Sequence, residues 1–116
     1  FCARTKDGGA SWQFVGWIGA EPEGYAIMPA AVRTSPSDLF AVIRCRDEKR
    51  AWLSAYASAD NGVTWTERAE PISEMGTGNP ASMLKLQDGR LCIVFGYRAE
   101  PYSMRARLSE DDGVSW

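Results

Sequence analysis

Short apolar runs separated by polar turns recur along the 116 residues of the chain. The runs LFAVIRC (39–45) and RLCIVFGY (90–97) are rich in Val, Ile and Phe and are bounded by turn residues, which is typical of buried β-strands. No segment has the 3.6-residue period of an amphipathic helix. Further strands are predicted beside these runs, at QFVGWI (13–18), AAVRT (30–34), AWLSAYA (51–57), ASMLKL (81–86) and SMRARLS (103–109). The pattern predicts an all-β protein.

A turn motif that ends in tryptophan occurs three times in the chain. Residues 5–12 read TKDGGASW, residues 58–65 read SADNGVTW, and residues 109–116 read SEDDGVSW. All three fit Ser/Thr-x-Asp-x-Gly-x-Ser/Thr-Trp, and successive copies begin 53 and 51 residues apart. Recurrence at a nearly constant spacing indicates a structural repeat of about 50 residues.

The residue types of this motif are those of a tight turn. The aspartate and the hydroxyls can accept hydrogen bonds from nearby backbone N–H groups, the glycine can take a positive φ, and the tryptophan offers an apolar face for packing. An alternative is that the aspartates are catalytic acids or calcium ligands, but nothing else in the motif supports that chemistry. We interpret the motif residues as structural: Asp7, Gly9, Trp12, Asp60, Gly62, Trp65, Asp111, Gly113 and Trp116.

Each repeat unit contains four predicted strands, in the order strand A, turn, strand B, loop, strand C, motif, strand D. Pro29–Trp65 and Pro80–Trp116 are equal in length, so the two units superpose without a gap. Four antiparallel strands in about 50 residues match a β-propeller blade, whereas an immunoglobulin-like sandwich leaves the spacing unexplained. We predict one propeller segment over 1–116, with the end of one blade at 1–18, a complete blade at 19–68 and a blade lacking its last strand at 69–116.

Composition narrows the classes of function. A net charge of −2 with mixed signs does not indicate a nucleic-acid surface, and no apolar run approaches the length of a membrane span. Histidine is absent, which excludes histidine-based metal sites and histidine general bases from this chain. We expect no metal, no cofactor, no nucleic acid and no membrane as partners. Cys2, Cys45 and Cys92 are predicted to be buried free thiols rather than members of a disulfide.

The three motif copies resemble the Asp boxes, or bacterial neuraminidase repeats, of the sialidase-like six-bladed β-propellers. The segment GNPASMLKLQDGRLCIVFGYR (78–98) and the later LSEDDGVSW (108–116) are similar to blades of that superfamily. The resemblance implies two consecutive blades and a glycoside hydrolase that acts on terminal sialic acid or a related acidic sugar. Asp boxes also occur in non-catalytic propellers that bind glycans or proteins, and a purely structural remnant is a third reading. Secreted or periplasmic location is compatible with the resemblance, and the compartment stays open.

The resemblance also implies where a ligand would bind. Sites of this fold lie at the end opposite the Asp boxes, where the D–A and B–C connections meet. A sialidase-like site needs arginines for the sugar carboxylate, a Tyr nucleophile activated by Glu, and an Asp for acid/base catalysis. The first clamp arginine of the family is replaced here by Ile27 and Gly78, and no catalytic residue is assigned. The candidates for substrate contact are Arg98, Arg46, Tyr97, Glu100 and Tyr102.

Each candidate also has an ordinary structural interpretation. Arg46 and Arg98 are the residue type found in solvated or salt-bridged loops, and the two tyrosines are of the type that packs against a core. The expected partners are a carbohydrate, in the form of an acidic sugar or glycan, and either the remaining blades of the same propeller or copies of this chain. In the second case, several copies would form a head-to-tail ring.

Overall fold

A computed structural model describes residues 1–116 and contains nine β-strands and no helix. No part of the chain therefore forms a helix suited to crossing a bilayer. The strands are β1 (Cys2–Arg4), β2 (Gln13–Gly16), β3 (Tyr25–Arg33), β4 (Leu39–Arg46), β5 (Ala51–Ser58), β6 (Thr66–Ile72), β7 (Ser82–Lys85), β8 (Leu91–Tyr97) and β9 (Ser103–Ser109).

The strands form three antiparallel sheets, each of which is a meander. The hairpin β1–β2 is followed by a four-stranded sheet in the order β3-β4-β5-β6 and by a three-stranded sheet in the order β7-β8-β9. Within each sheet, every strand pairs with its neighbour in sequence, because short turns can join only antiparallel strands. The predicted all-β class, built from antiparallel meanders, is confirmed.

Two strands are longer than their sequence patterns indicated. Strand β3 begins at Tyr25 rather than at residue 30, and its first three residues pair with β4 before a register shift between Ile27 and Ala30. Met28, inside the irregularity, has a φ of 56°, so the alternation of side chains is interrupted and hides this part of the strand. Strand β6 runs to Ile72, four residues beyond the predicted limit at residue 68.

The gap-free superposition of the two units is wrong by one residue. Leu39 pairs with Ser58 in the first unit, and Leu91 pairs with Ser109 in the second. The two leucines are therefore equivalent at a separation of 52 residues, whereas the two serines are separated by 51. The second unit is one residue shorter between strands B and C. Arg46 and Arg98, also 52 residues apart, are consequently equivalent.

The two central strands of the four-stranded sheet, β4 and β5, are largely buried on both faces. One face contributes Phe40, Val42 and Leu53 to a core that also contains Leu91 and other residues of β8. On the opposite face, Ala41, Ile43 and Cys45 of β4 are buried as well. Burying a side chain of this kind contributes about 1.5–3 kcal/mol, so the contact between consecutive sheets is the main source of stability.

The outer faces at the two ends of the structure are apolar but uncovered. Phe1, Phe14 and Trp17 are 72%, 59% and 72% exposed and contact one another, with ring centres 5.4–6.2 Å apart. At the other end, Leu84 and Leu108 flank Cys92 in the register of the three-stranded sheet.

The three cysteines form no disulfide. Cys45 is buried, whereas Cys2 and Cys92 are only partly buried. The prediction of buried thiols is therefore wrong for the last two. In the case of Cys92, the reason is that it lies on the uncovered face of β8.

The Asp boxes are closed by their own hydrogen bonds. Asp60 Oδ1 accepts hydrogen bonds from the Ser58 hydroxyl at 2.8 Å and from the Thr64 backbone N–H at 2.9 Å. Asp60 Oδ2 accepts a further bond from the Thr64 hydroxyl, and Gly62 N–H donates to the Ser58 hydroxyl at 2.8 Å. The boxes around Asp7 and Asp111 repeat these contacts. Each carboxylate thus organises its own turn.

The tryptophans of the boxes differ more than the aspartates. Trp65 is half-buried and donates its indole N–H to the Gly62 carbonyl at 3.0 Å. Trp116 packs against Phe40, with ring centres 5.9 Å apart. Trp12 is 64% exposed. The turn geometry therefore does not depend on how deeply the tryptophan is buried.

Acid should weaken the fold through the Asp boxes. Hydrogen bonds from Thr64, followed by that from Ser58, lower the pKa of Asp60 from 3.8 to about 2, and equivalent bonds from Ser115 and Ser109 lower the pKa of Asp111 to about 2. The pKa of each carboxyl is lower in the folded than in the unfolded state. The stability that these hydrogen bonds contribute is therefore complete above the unfolded-state pKa and is lost as the pH falls through about 2. We expect the melting temperature to fall between about pH 4 and pH 2.

The variant Asp60→Asn should melt at a lower temperature at pH 7 and should lose part of this acid dependence. Asp112→Asn is the matched control, because Asp112 is exposed and its carboxylate accepts no hydrogen bond in the structure. Melting curves followed by circular dichroism from pH 2 to pH 7 make the comparison. Parallel pH profiles for Asp60→Asn and the wild type would contradict the assignment.

Candidate functional site

The connections opposite the Asp boxes come together at one end of the sheets, which we call the linker end. Tyr25, Arg46 and Ala51 are neighbours across three strands at this end. The linkers 17–24 and 73–81 and the strand B–C turns 47–50 and 98–102 therefore lie there. The Asp boxes lie at the other end, where Asn61 N–H donates to the Ser37 carbonyl at 2.8 Å.

The linker 73–81 connects two sheets through backbone hydrogen bonds as well as through the chain. Met75 N–H donates to the Ala51 carbonyl at 3.0 Å, which holds the linker to the four-stranded sheet. Arg98 N–H donates to the Met75 carbonyl at 3.2 Å, and Thr77 N–H donates to the Arg98 carbonyl at 3.4 Å. The linker therefore fixes the backbone of Arg98 relative to the preceding sheet.

A glycine is required where the linker passes Arg98. Gly76 has a φ of 67°, and a Cβ added there would lie 2.6 Å from the Arg98 carbonyl carbon. Backbone atoms cannot give way as a flexible side chain would. Gly76 thus allows both the turn and the close approach.

Arg46 and Arg98 occupy equivalent places on consecutive sheets and have exposed side chains. The Arg46 guanidinium makes no hydrogen bond or ion pair within the protein. The Arg98 guanidinium has one long hydrogen bond, at 3.3 Å, to Asn79 Oδ1. Two arginines with most of their donors unused are therefore displayed at the linker end.

The other three candidates are not brought together into a hydrogen-bonded unit. The Tyr97 ring is covered by the Arg105 guanidinium, whose central carbon lies 3.5 Å from the ring centre. Tyr102 is 70% exposed, and Glu100 is exposed. No hydrogen bond joins Glu100 to either tyrosine. The arrangement of a tyrosine nucleophile activated by a glutamate does not occur among these three residues.

Arg44 is a residue of the linker end that the sequence pattern did not single out. Its Nη2 donates to the Thr77 carbonyl at 2.8 Å and to the Tyr25 hydroxyl at 3.3 Å. Strand alternation places it on the same face as Phe40 and Val42, both in the core. The signal in the sequence that could have identified Arg44 is its charge, because it interrupts the apolar pattern of that face.

Three carboxylates of the linker end are engaged within the protein. Asp47 accepts hydrogen bonds from the backbone N–H groups of Lys49 and Arg50, at 2.7 and 2.8 Å, and that of Arg50 is the main cause of its lowered pKa. Glu70 forms a two-pronged pair with the Arg50 guanidinium, with both N–O distances 2.8 Å. Glu74 accepts a bond from Gly76 N–H. These groups hold turns and linkers in place.

A groove of about 530 Å³ lies beside Arg46. It is bounded by the end of the first linker and by the turn after β4, namely Glu23, Gly24, Tyr25, Arg46, Asp47, Glu48 and Lys49. Charged groups of both signs line it, with one aromatic ring, which is a composition suited to a polar ligand. No group of three or more His, Cys, Asp or Glu side chains is arranged to hold a metal ion.

Comparison with known proteins identifies relatives of this fold. The family model described as a BNR repeat-like domain matches residues 1–116. The crystal structure of a protein of unknown function from Dyadobacter fermentans DSM 18053 matches with a TM-score of 0.75 and 24% identity, over 96% of this chain. This chain spans 30% of the length of that protein, and at this identity the likeness concerns the fold alone. No match was found among curated proteins.

Replacing Gly76 should be more harmful than replacing a glycine that also has a positive φ but has free space around it. Gly89 has a φ of 94°, and a Cβ there would meet no atom within 4 Å. We expect Gly89→Ala to cost about 1 kcal/mol from its φ alone, and Gly76→Ala to cost at least about 2 kcal/mol because it also displaces the Arg98 backbone. Denaturant unfolding measures both. Equal losses of stability would show that the linker tolerates a side chain at this point.

Proposed function

We propose that this chain, which belongs to the BNR repeat-like domain family over residues 1–116, binds an acidic sugar as part of a sialidase-like glycoside hydrolase. The proposed ligand is terminal sialic acid or a related acidic sugar. The observation that carries the proposal is the pair of equivalent arginines, Arg46 and Arg98, whose donors are largely unused within the protein.

Guanidinium groups suit this ligand for chemical reasons. An arginine can offer two parallel N–H donors to the two oxygens of a carboxylate, and such charge-assisted bonds are stronger than neutral ones. Asp47 is bound to backbone N–H groups and Glu70 to Arg50, so these two carboxylates do not occupy the donors of Arg46 or Arg98. The Arg46 and Arg98 donors are thus available to an exogenous carboxylate, although Glu23 and Glu48 also line the groove beside Arg46 and reduce its positive charge.

Arg46, Arg98 and the residues near them would supply recognition rather than the bond-breaking step. Tyr102 and Glu100 are exposed beside Arg98 and are available to contact the hydroxyl groups of a sugar. The Tyr97 ring is covered by the Arg105 guanidinium. Tyr97 would therefore contribute by holding that guanidinium in place rather than as a nucleophile. Cleavage of a glycosidic bond would require a nucleophile and an acid that we assign to none of these residues.

A second candidate function is a non-catalytic propeller that binds glycans or proteins. The observation in its favour is that Glu100 makes no hydrogen bond to Tyr97 or Tyr102. A nucleophilic tyrosine needs a neighbouring base, so a site that lacks this pair would bind an acidic glycan without cleaving it.

We further propose that the uncovered end faces of the structure pack against additional sheets of the same propeller. Phe1, Phe14 and Trp17 form one apolar face, and Met104 and Leu108, 73% and 43% exposed, are part of the other. Within the chain, the corresponding face between consecutive sheets is buried. The matched crystal structure is of a chain about three times as long, which leaves room for further sheets of this type.

Removal of the arginines should weaken binding of an acidic sugar selectively. We expect Arg98→Ala, in the complete protein, to lower the affinity for 3′-sialyllactose about 10- to 100-fold, because a charge-assisted hydrogen-bonding partner is lost. Arg46→Ala should act in the same direction. Titration calorimetry with 3′-sialyllactose and with neutral lactose measures the effect and its dependence on the acidic group.

Arg68→Ala is the matched control, because Arg68 is exposed on β6 and has no side-chain partner. Its affinity should equal that of the wild type. Full affinity in Arg98→Ala would remove Arg98 from the site. Release of sialic acid during a long incubation would favour the hydrolase, and saturable binding with no release would favour the non-catalytic alternative.

The solution mass of the 116-residue chain tests what covers its end faces. If further sheets of one longer chain are the natural partners, copies of this chain do not fit each other's end faces. Light scattering on a gel-filtration column should then give a monomer or a heterogeneous aggregate. A sharp peak at about three chain masses would instead identify copies of this chain as the partner, in a closed ring. Met104→Asp should dissociate such a ring.

A further inference from the structure

We propose that Arg44 is a positioning residue for the acidic-sugar site, an inference that rests on the proposed function. Arg44 does not belong to the exposed pair of arginines. It is partly buried, its Nη2 donates to the Thr77 carbonyl at 2.8 Å, and the same atom reaches the Tyr25 hydroxyl at 3.3 Å. It thereby connects β4 with β3 and with the linker 73–81.

The contact with Thr77 leads directly to Arg98. Thr77 N–H donates to the Arg98 carbonyl, and Gly76 and Arg98 form a short parallel β-bridge. Arg44 binds the carbonyl of the same residue whose N–H holds Arg98. Thr77 is therefore the single linker residue between Arg44 and Arg98. Loss of the Arg44 bond should loosen the backbone that carries the Arg98 side chain.

Arg44 also lies on the strand that carries Arg46. The two residues are two positions apart on β4 and therefore share a face of the sheet. Arg46 and Arg98 belong to different sheets, so their separation depends on how firmly the linker is attached to β4 and β5. Met75 provides the attachment to β5 through Ala51, and Arg44 provides the attachment to β4.

Stability alone does not account for an arginine at this position. Arg44 Nε is inaccessible to solvent and has no hydrogen-bond partner. A buried N–H without an acceptor is unfavourable, and an apolar side chain of similar length would avoid that cost. What the arginine adds is its two hydrogen bonds, to Thr77 and to Tyr25, and the contact of its guanidinium with the Tyr25 ring, 5.6 Å from the ring centre. We infer that its role is to hold the linker and, through it, the site.

The experiment compares Arg44→Met, Arg44→Lys and Arg33→Met with the wild type in the complete protein. Methionine keeps the apolar length of the side chain and removes both hydrogen bonds, whereas lysine keeps one donor for Thr77. Arg33→Met is the matched control, because Arg33 also bonds across a turn, to the Pro36 carbonyl and Asn61 Oδ1, but at the Asp-box end. Amide hydrogen exchange, thermal unfolding and affinity for 3′-sialyllactose are measured for each.

We expect Arg44→Met to raise the exchange rates of the Thr77 and Arg98 amides about tenfold and to lower the affinity about tenfold, with little change in melting temperature. Arg44→Lys should be intermediate, and Arg33→Met should leave both amides and the affinity unchanged. Unchanged exchange at Thr77 and Arg98 in Arg44→Met would overturn the inference. So would a lysine variant no better than methionine, or an equal effect of Arg33→Met.

The two proposals fail in distinguishable ways. If the wild type does not bind 3′-sialyllactose, the proposed function is contradicted, while hydrogen exchange still reports whether Arg44 holds the linker. If the wild type binds and Arg44→Met loosens the linker without any loss of affinity, the proposed function stands and the positioning role is overturned.

Discussion

The packing of one sheet against the next is the constraint on which the rest of this structure depends. A short antiparallel meander has two faces, and the four-stranded sheet can bury both only if a neighbouring sheet lies on each side. Phe40 and Leu53 meet Leu91 across one contact, and Ile43 and Cys45 are buried on the other face. Consecutive sheets must therefore be held in a fixed relative orientation, and the two ends of each sheet achieve this by different means.

Both ends carry hydrogen bonds between sheets, but of different kinds: at the Asp-box end long side chains reach a neighbouring carbonyl, as Arg4 does to Asn61 and Lys85 to Thr34, whereas at the linker end backbone groups bond to one another. The aspartate of each Asp box takes its hydrogen bonds from within the box, so each box keeps its shape whatever its tryptophan packs against. The linker 73–81 instead satisfies its groups through Ala51 on one sheet and Arg98 on the next. The ligand-binding surface proposed at the linker end would therefore depend on contacts between sheets, and a change in those contacts would reach it directly.

The sequence predicted those parts of the structure that depend on local pattern. The apolar runs located β4, β5, β8 and β9 to within about a residue, and the spacing of the Asp boxes indicated the repeat. The beginning of β3 was missed because a bulge at Met28 breaks the alternation on which such a prediction depends. The one-residue offset between the units was missed because equal overall lengths conceal compensating differences.

The candidate site was predictable only in part, for the same physical reason. Arg46 and Arg98 stand out because repeated loops carry the same residue type, which a sequence displays. Arg44 shows in the sequence only as a charge within an apolar pattern, which does not reveal its role, because the group it binds is the Thr77 carbonyl, 33 residues away. Backbone groups are the same in every residue, so a sequence carries no mark of which carbonyl will be available.

In the proposed site, two consecutive sheets with different loops would each contribute one arginine. Arg46 and Arg98 are equivalent in register, yet Arg46 ends a regular strand pair, whereas Arg98 is held by the linker through its backbone. The first arginine can therefore vary its side-chain position only by rotamer changes from a fixed backbone, and the second moves with any movement of residues 75–77. Because arginine recognises a carboxylate through a planar pair of donors, its geometry is strict. The sheet that is least able to move would set the direction of the carboxylate, and the linker would set how closely the second arginine approaches it.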